Sequence, residues 1–173
     1  MKKMIKYLAL ALVSASAMAD VCIQHTAFLD ATGAVKSEPL CYERVKNGSG
    51  GSLAVGSIVI LDLTADDGVT VTTSTSRNAV PFCVVMETIA ANGIGKCQTY
   101  GREADGVLFD AFGGVDKAAT AGNAIYISTT RAGYGQGINP ANNPSAVGLV
   151  YPVGIWYDTA SATGSVEAFI QLR

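Results

Sequence analysis

"ETIAANGIGKCQTYG", residues 87–101, reads as the tip and one arm of a β-hairpin. Thr88-Ile89 and Cys97-Gln98-Thr99-Tyr100 have the composition of strand ends. Ala91-Asn92-Gly93 has that of the bend between them, because Asn and Gly accept the backbone that a tight turn requires. Cys83 and Cys97 are equidistant from Ala90, beside that bend. Directly opposed residues of an antiparallel pair are close enough to bridge, so the stretch predicts a hairpin clamped by Cys83 and Cys97.

Two further cysteines, Cys22 and Cys41, complete a set of four, for which three disulfide pairings exist. Cys22 and Cys41 are symmetric about Ala31 and Thr32 in "LDATGA", where Asp30 and Gly33 are good turn residues, so this pair is expected to clamp a second hairpin. Each bridge contributes about 3 kcal/mol by the loop-closure argument. Four reduced, buried thiols in a chain that is not exported is the competing reading.

Outward from the hairpin the dominant period is two. "SVEAFIQLR" puts Val166, Ala168, Ile170 and Leu172 on one face and Glu167, Phe169, Gln171 and Arg173 on the other. "SIVILDL" and "NAIYIS" are short β-branched runs of the kind found in buried strands, "VTVTTSTS" suits an exposed or edge strand, and "VGLVYPVGIWYD" reads as two strand pieces broken at Pro152. Turn signals recur at short intervals and no amphipathic helix follows residue 19. The fold expected is all-β, a small barrel or sandwich with an N-terminal disulfide-clamped hairpin.

The first nineteen residues, "MKKMIKYLALALVSASAMA", have the three parts of a secretory leader: Lys2, Lys3 and Lys6, an apolar run from Tyr7 to Val13, and Ala17-Met18-Ala19 ahead of Asp20. Residues 1–19 are therefore expected to be a signal peptide, with 20–46 an N-terminal hairpin extension, 47–56 a Gly/Ser-rich linker or loop, and 57–173 the main β domain. Residues 129–145, rich in Gly, Asn and Pro, read as a long surface loop. Beyond the leader nine basic residues stand against fourteen acidic ones, a balance of −5. That argues against a nucleic-acid partner, which calls for a basic face. Charged residues make up only 15 % of the chain, against about 25 % in an average soluble domain. So bare a surface suggests cover by neighbouring copies.

The residues that could carry chemistry do not converge in the sequence. No C-x-x-C pair suggests zinc, and His25 is the sole candidate base for a catalytic thiol. Asp66-Asp67, Asp105 and Asp110 could bind a hard cation, but turn aspartates ordinarily serve the backbone. Glu38, Glu43, Glu87, Glu103 and Glu167 are not brought together by spacing as a carboxylate pair would need. Asn47-Gly48-Ser49 matches a glycosylation sequon of the sort that arises by chance. The glycines of "AGYGQG" lack the strand-to-helix context of a dinucleotide loop. Trp156 and Tyr157 read as core and sheet surface rather than a sugar platform. No catalytic, metal or cofactor-binding residue is expected, and no enzyme.

From about residue 53 onward the chain resembles the small β domains of tailed-phage capsid-decoration and related virion proteins. The resemblance lies in "LAVGSIVIL", "VPFCVVMETIAANGIGKCQTYG", "AATAGNAIYISTTRAG", and "AVGLVYPVG" with the closing "VEAFIQL". It departs from the family pattern at Phe82-Cys83, where the family has a glycine, and in the leader and the cysteine-bearing front. The resemblance implies a non-enzymatic protein that adheres to a protein lattice, often as trimers or rings. The expected function is structural: packing into or onto a lattice, with that lattice or copies of itself as partners. It is expected to act as a homo-oligomer, exported or borne on a virion, with no nucleic acid and no membrane after leader removal. An exported carbohydrate- or surface-binding module is the alternative. Phe169, a large aromatic on the polar face of the last strand, is the expected assembly contact.

Overall fold

The computed structural model describes residues 21–24, 28–29, 35–36, 39–76, 78–111, 119–137 and 151–172, with side chains from residue 41 onward except 102–105. Residues 1–20, His25 and residues 138–150 lie outside that set, so the expected leader is not among the described residues. Every regular element among the described residues is a strand. In chain order these are β1 (Val21–Gln24), β2 (Phe28–Leu29), β3 (Val35–Lys36), β4 (Pro39–Asn47), β5 (Ile58–Leu61) and β6 (Thr70–Thr72). They continue as β7 (Cys83–Val85), β8 (Ile94–Phe109), β9 (Ala124–Ile127), β10 (Gly135–Gly137), β11 (Gly154–Trp156) and β12 (Gly164–Gln171).

The pairing closes on itself twice, and β8 belongs to both circuits. One runs β4–β6–β5–β7–β8 and closes through β4–β8; the other runs β8–β10–β9–β11–β12 and closes through β8–β12. Closure removes the free edges that make an open sheet sticky. The first circuit encloses Val45, Leu53, Val59, Val71, Cys83, Val85, Ile89 and Cys97. The second packs around Trp156 and Phe109, whose rings meet edge to face at 5.6 Å, with Ile125, Val166, Ala168 and Ile170 beside them. Successive residues of β5 and β7 divide between the cores: Val59, Cys83 and Val85 enter the first, Ile58 and Val84 the second. That is why these two strands read as unbroken apolar runs, whereas β12, with one face in a core, alternates.

The strand shared by both circuits is irregular within the second one. The β8–β12 register shifts between Val166 and Ala168, leaving a bulge opposite at 104–106. Gly106 sits there at φ 81°, and a Cβ on it would fall 2.6 Å from Ser165 Oγ. A Cβ on Gly56 would run into the Gly106 carbonyl. Only glycine allows the two backbones to cross so closely.

Cys83 and Cys97 form a disulfide with Cα atoms 5.5 Å apart, fully buried in the first core. The partners are those expected, but they are not directly opposed. Val85 is the residue opposite Cys97, so the bridge runs diagonally. The turn closed by Gly93 N–H on the Ala90 carbonyl is centred past Ala90, between Ala91 and Asn92, which brings Val85 rather than Cys83 opposite Cys97, and the chain bends at 86–87 just after β7. There Met86 N–H donates to the Lys96 carbonyl, and the Glu87 carboxylate accepts the Lys96 N–H. The tip is as read: Asn92 has φ 58° and Gly93 N–H returns to the Ala90 carbonyl. In the N-terminal pair Cys22 stands opposite Cys41 in the β1–β4 register, and Cys41 is disulfide-bonded.

Three local expectations change. "VTVTTSTS" supplies β6, which is interior, lying between β4 and β5 with Thr70 and Val71 buried. Within the expected 129–145 loop, residues 135–137 are β10, a buried strand paired with β9. The 46/47 boundary falls inside β4, which is a stave of the first circuit and no mere extension. Residues 47–56, expected as a linker or loop, run as a loop tied to the body: Asn47 is fully buried, and Leu53 bridges to Ile89.

Candidate functional site

The surface that stands out lies on the outside of the second circuit. On β11, Trp156 turns inward and Ile155 outward, with Tyr157 beyond it also exposed. Ile155 is directly opposite Phe169 on β12, and Phe169 is opposite Arg102 on β8. The half-buried Phe169 ring packs edge to face against Tyr100 at 5.1 Å and lies 6.3 Å from Tyr157, with planes at 82° and 63°. Phe169 is thus the centre of an aromatic cluster built by three strands of its own chain. The expectation of a lone anchor in a polar face misses Tyr100, Tyr157 and Ile155. The alternation of "GIWY" across β11 was the signal that would have found the last two.

The same face continues toward the end of β12. Val80, Pro81, Tyr151, Pro152, Gln171 and Leu172 line an open groove of about 240 Å³. Val80 and Tyr151 are more than half exposed.

The candidate chemical groups are dispersed and engaged in the fold. Asp67 Oδ2 accepts from Thr70 Oγ1 at 2.6 Å, and its Oδ1 accepts from the N–H groups of Val69 and Thr70; these bonds hold its carboxyl down to about 2. Asp62 is lowered in the same manner by the hydroxyl and N–H of Thr64. The Asp110 carboxylate is buried and accepts from the hydroxyls of Ser128 and Thr130, fixing the β9–β10 turn. Glu43 is raised by burial, Glu87 is turned onto the Lys96 N–H, and Glu167 is half-buried on β12. Glu38 and the side chains of Glu103 and Asp105 lie outside the described set. Among the described residues no three His, Cys, Asp or Glu gather into a metal site.

Asn47, the sequon residue, is a tie inside the fold. Its Nδ2 donates to the carbonyls of Gly51, Ile89 and Ala90 at 2.6, 2.9 and 3.1 Å, and its Oδ1 accepts from Ser49 N–H and Oγ. The amide that a glycan would join is buried and spoken for.

No family model and no curated protein matches the sequence. Among solved structures, the chain is similar to the N base of the head fiber protein gp8.5 of bacteriophage phi29. The identity is 11 %, the TM-score 0.47, and the match covers 77 % of this chain and 95 % of that one.

Proposed function

We propose that the protein is a non-enzymatic structural component that packs against copies of itself within a protein lattice, through the outer face of β11, β12 and the middle of β8. The observation that carries this reading is the aromatic cluster of Phe169, Tyr100 and Tyr157, with exposed Ile155 beside it, on a barrel whose cores are already filled by other residues. Contiguous apolar surface of this kind, on a chain so poor in charge, fits a contact to be covered. The resemblance to capsid-decoration domains supports the same reading and a place on a virion. The leader and the cysteines support an oxidising location outside the cytoplasm.

Phe169→Ser tests it. At about 0.5 M salt, where an apolar contact persists, sedimentation of the wild type should reveal oligomers and the variant should sediment as a folded monomer. Unchanged assembly by the variant removes the reading.

Exposed Tyr151 and Tyr157 favour a second reading, a carbohydrate- or surface-binding module. Sugar rings stack on flat aromatic platforms, whereas Tyr157 stands at 63° to the Phe169 ring beside it. A glycan that binds the wild type and is lost on Tyr157→Ala would favour this second reading.

A further inference from the structure

A second surface, on the first circuit, carries opposite charges side by side. On the outer face of β4 and β8, Arg44 lies directly opposite Lys96, and Lys46 directly opposite Ile94. All three cations are exposed, and Ile94 is 69 % exposed. Lys96 also reaches over the Tyr42 ring at 5.4 Å. Like charges facing each other across an antiparallel pair destabilise it, so this placement costs the monomer something. The nearby Glu87 carboxylate is used on the Lys96 main chain.

On the other side of Lys46 lies the β5–β6 turn. Lys46 N–H donates to the Val69 carbonyl, Asp62 N–H to the Thr70 carbonyl, and Lys46 contributes to the low pKa of Asp67. The turn carries Asp62, Asp66 and Asp67 around Leu63, which is 86 % exposed, the highest value among the large apolar side chains described. It is held in shape by the hydrogen bonds of Asp62 to Thr64 and of Asp67 to Val69 and Thr70. One surface thus holds an acidic, preformed turn with an exposed leucine next to a basic strand pair with an exposed isoleucine.

We propose that this surface is a self-complementary contact between two copies of the chain. In it the Asp62–Asp67 turn of each copy lies on Arg44, Lys96 and Ile94 of the other. A twofold axis near Lys46 exchanges the two halves, so both contacts form at once and the arrangement closes as a pair. Charge complementarity identifies the occupant: the patch that answers two cations and an aliphatic side chain is present, rigid and adjacent on the same molecule. The inference rests on the reading of the chain as an assembly protein and adds a contact distinct from the Phe169 face, so a lattice would have two kinds of joint.

The two joints are separable by salt. In the Phe169→Ser background, sedimentation velocity should show a monomer–dimer equilibrium whose dissociation constant rises by about tenfold or more between low salt and about 0.5 M salt. Arg44→Glu with Lys96→Glu should leave folded monomer, as should Ala65→Lys with Asp66→Lys, and the milder Arg44→Ala with Lys96→Ala should weaken the dimer. Mixing the two charge variants should restore a heterodimer, since one of the two contacts then has its native charges and the other no longer repels. A background protein that stays monomeric at low salt, a dimer indifferent to Arg44 and Lys96, or a mixture that does not associate overturns the proposal. None of these results bears on salt-resistant assembly through Phe169.

Discussion

Asn47 Nδ2 donates to the Ile89 carbonyl at 2.9 Å, joining the end of β4 to the approach to the hairpin tip forty-two residues later. The main chain of Asn47 adds two more ties there: its N–H donates to the Gly93 carbonyl, and its carbonyl accepts from Asn92 N–H. A single buried amide thus fixes the 47–53 loop, the hairpin tip and the strand end together. Asn47→Ala removes all the side-chain bonds at once and leaves the Ile89 and Ala90 carbonyls only their bonds from Leu53 and Gly93 N–H, at a cost of about 2–4 kcal/mol. Asn47→Asp should be worse, because a carboxylate would face three carbonyl oxygens. Denaturant unfolding measures both, and intact mass after expression in a glycosylating host should show Asn47 unmodified in folded protein.

The buried Cys83–Cys97 bridge joins β7 and β8 inside the first circuit. Cys97→Ala should lower stability by about 2–4 kcal/mol while the far-ultraviolet spectrum remains that of a β protein. Non-reducing peptide mapping should recover Cys83 with Cys97, and Cys22 with Cys41 as the β1–β4 register suggests. A Cys22–Cys83 or Cys41–Cys97 peptide would contradict both assignments.

How much of this could be read from the chain differs by element. The two-residue period of β12 and the Asn-Gly tip were plain because side-chain alternation and positive φ leave direct marks in sequence. The disulfide partners followed from symmetry, but their diagonal placement did not, since the turn is centred between Ala91 and Asn92 and not at Ala90. β10 was hidden because Gly135-Gln136-Gly137 has no side-chain pattern; a Cβ at Gly135 would crowd Ile125, Ile58 and Trp156. The sharing of β8 by two circuits was illegible because Gly101 and Gly106 look like breaks, whereas they let one long strand turn from the first core to the second. Asn47 was visible only as a sequon, because nothing local reveals carbonyls brought to it from residues 89 and 90.

Two carboxylates should give pH effects of opposite sign. The hydrogen bonds from Thr70 and Val69 depress Asp67 to about 2, against about 3.9 in an unfolded chain. The folded state therefore holds its proton less tightly, and the stability Asp67 supplies is present above about pH 4 and lost as pH falls toward 2. Burial raises Glu43, so the folded state holds that proton more tightly and stability falls as pH rises through the titration of Glu43. Asp67→Asn should flatten the acid limb of the stability–pH curve, and Glu43→Gln should stabilise the protein at neutral pH. Urea midpoints from pH 2 to 7 would check both, and an unchanged acid limb in Asp67→Asn would show that its capping bonds do not matter in solution.

Trp156 and Phe169 lie on adjacent strands with opposite faces, and they should separate folding from assembly. Trp156 is fully buried against Phe109, and Phe169 is half-buried under Tyr100 and Tyr157 with exposed Ile155 alongside. Trp156→Ala opens a large void in the second core and should cost about 3–5 kcal/mol of monomer stability. Phe169→Ala removes a ring that is only partly withdrawn from water in the single chain, so its folding cost should be smaller, about 1–2 kcal/mol. In an assembly the same ring would lose the rest of its exposure and act as an anchor, whose truncation costs binding about 2 kcal/mol or more, some thirtyfold in dissociation constant. Light scattering beside thermal unfolding measures the two quantities on the same samples. A Phe169→Ala protein that melts early yet assembles as the wild type does when folded would reassign Phe169 to the core. Loss of assembly with a small melting shift is the outcome expected of a contact residue.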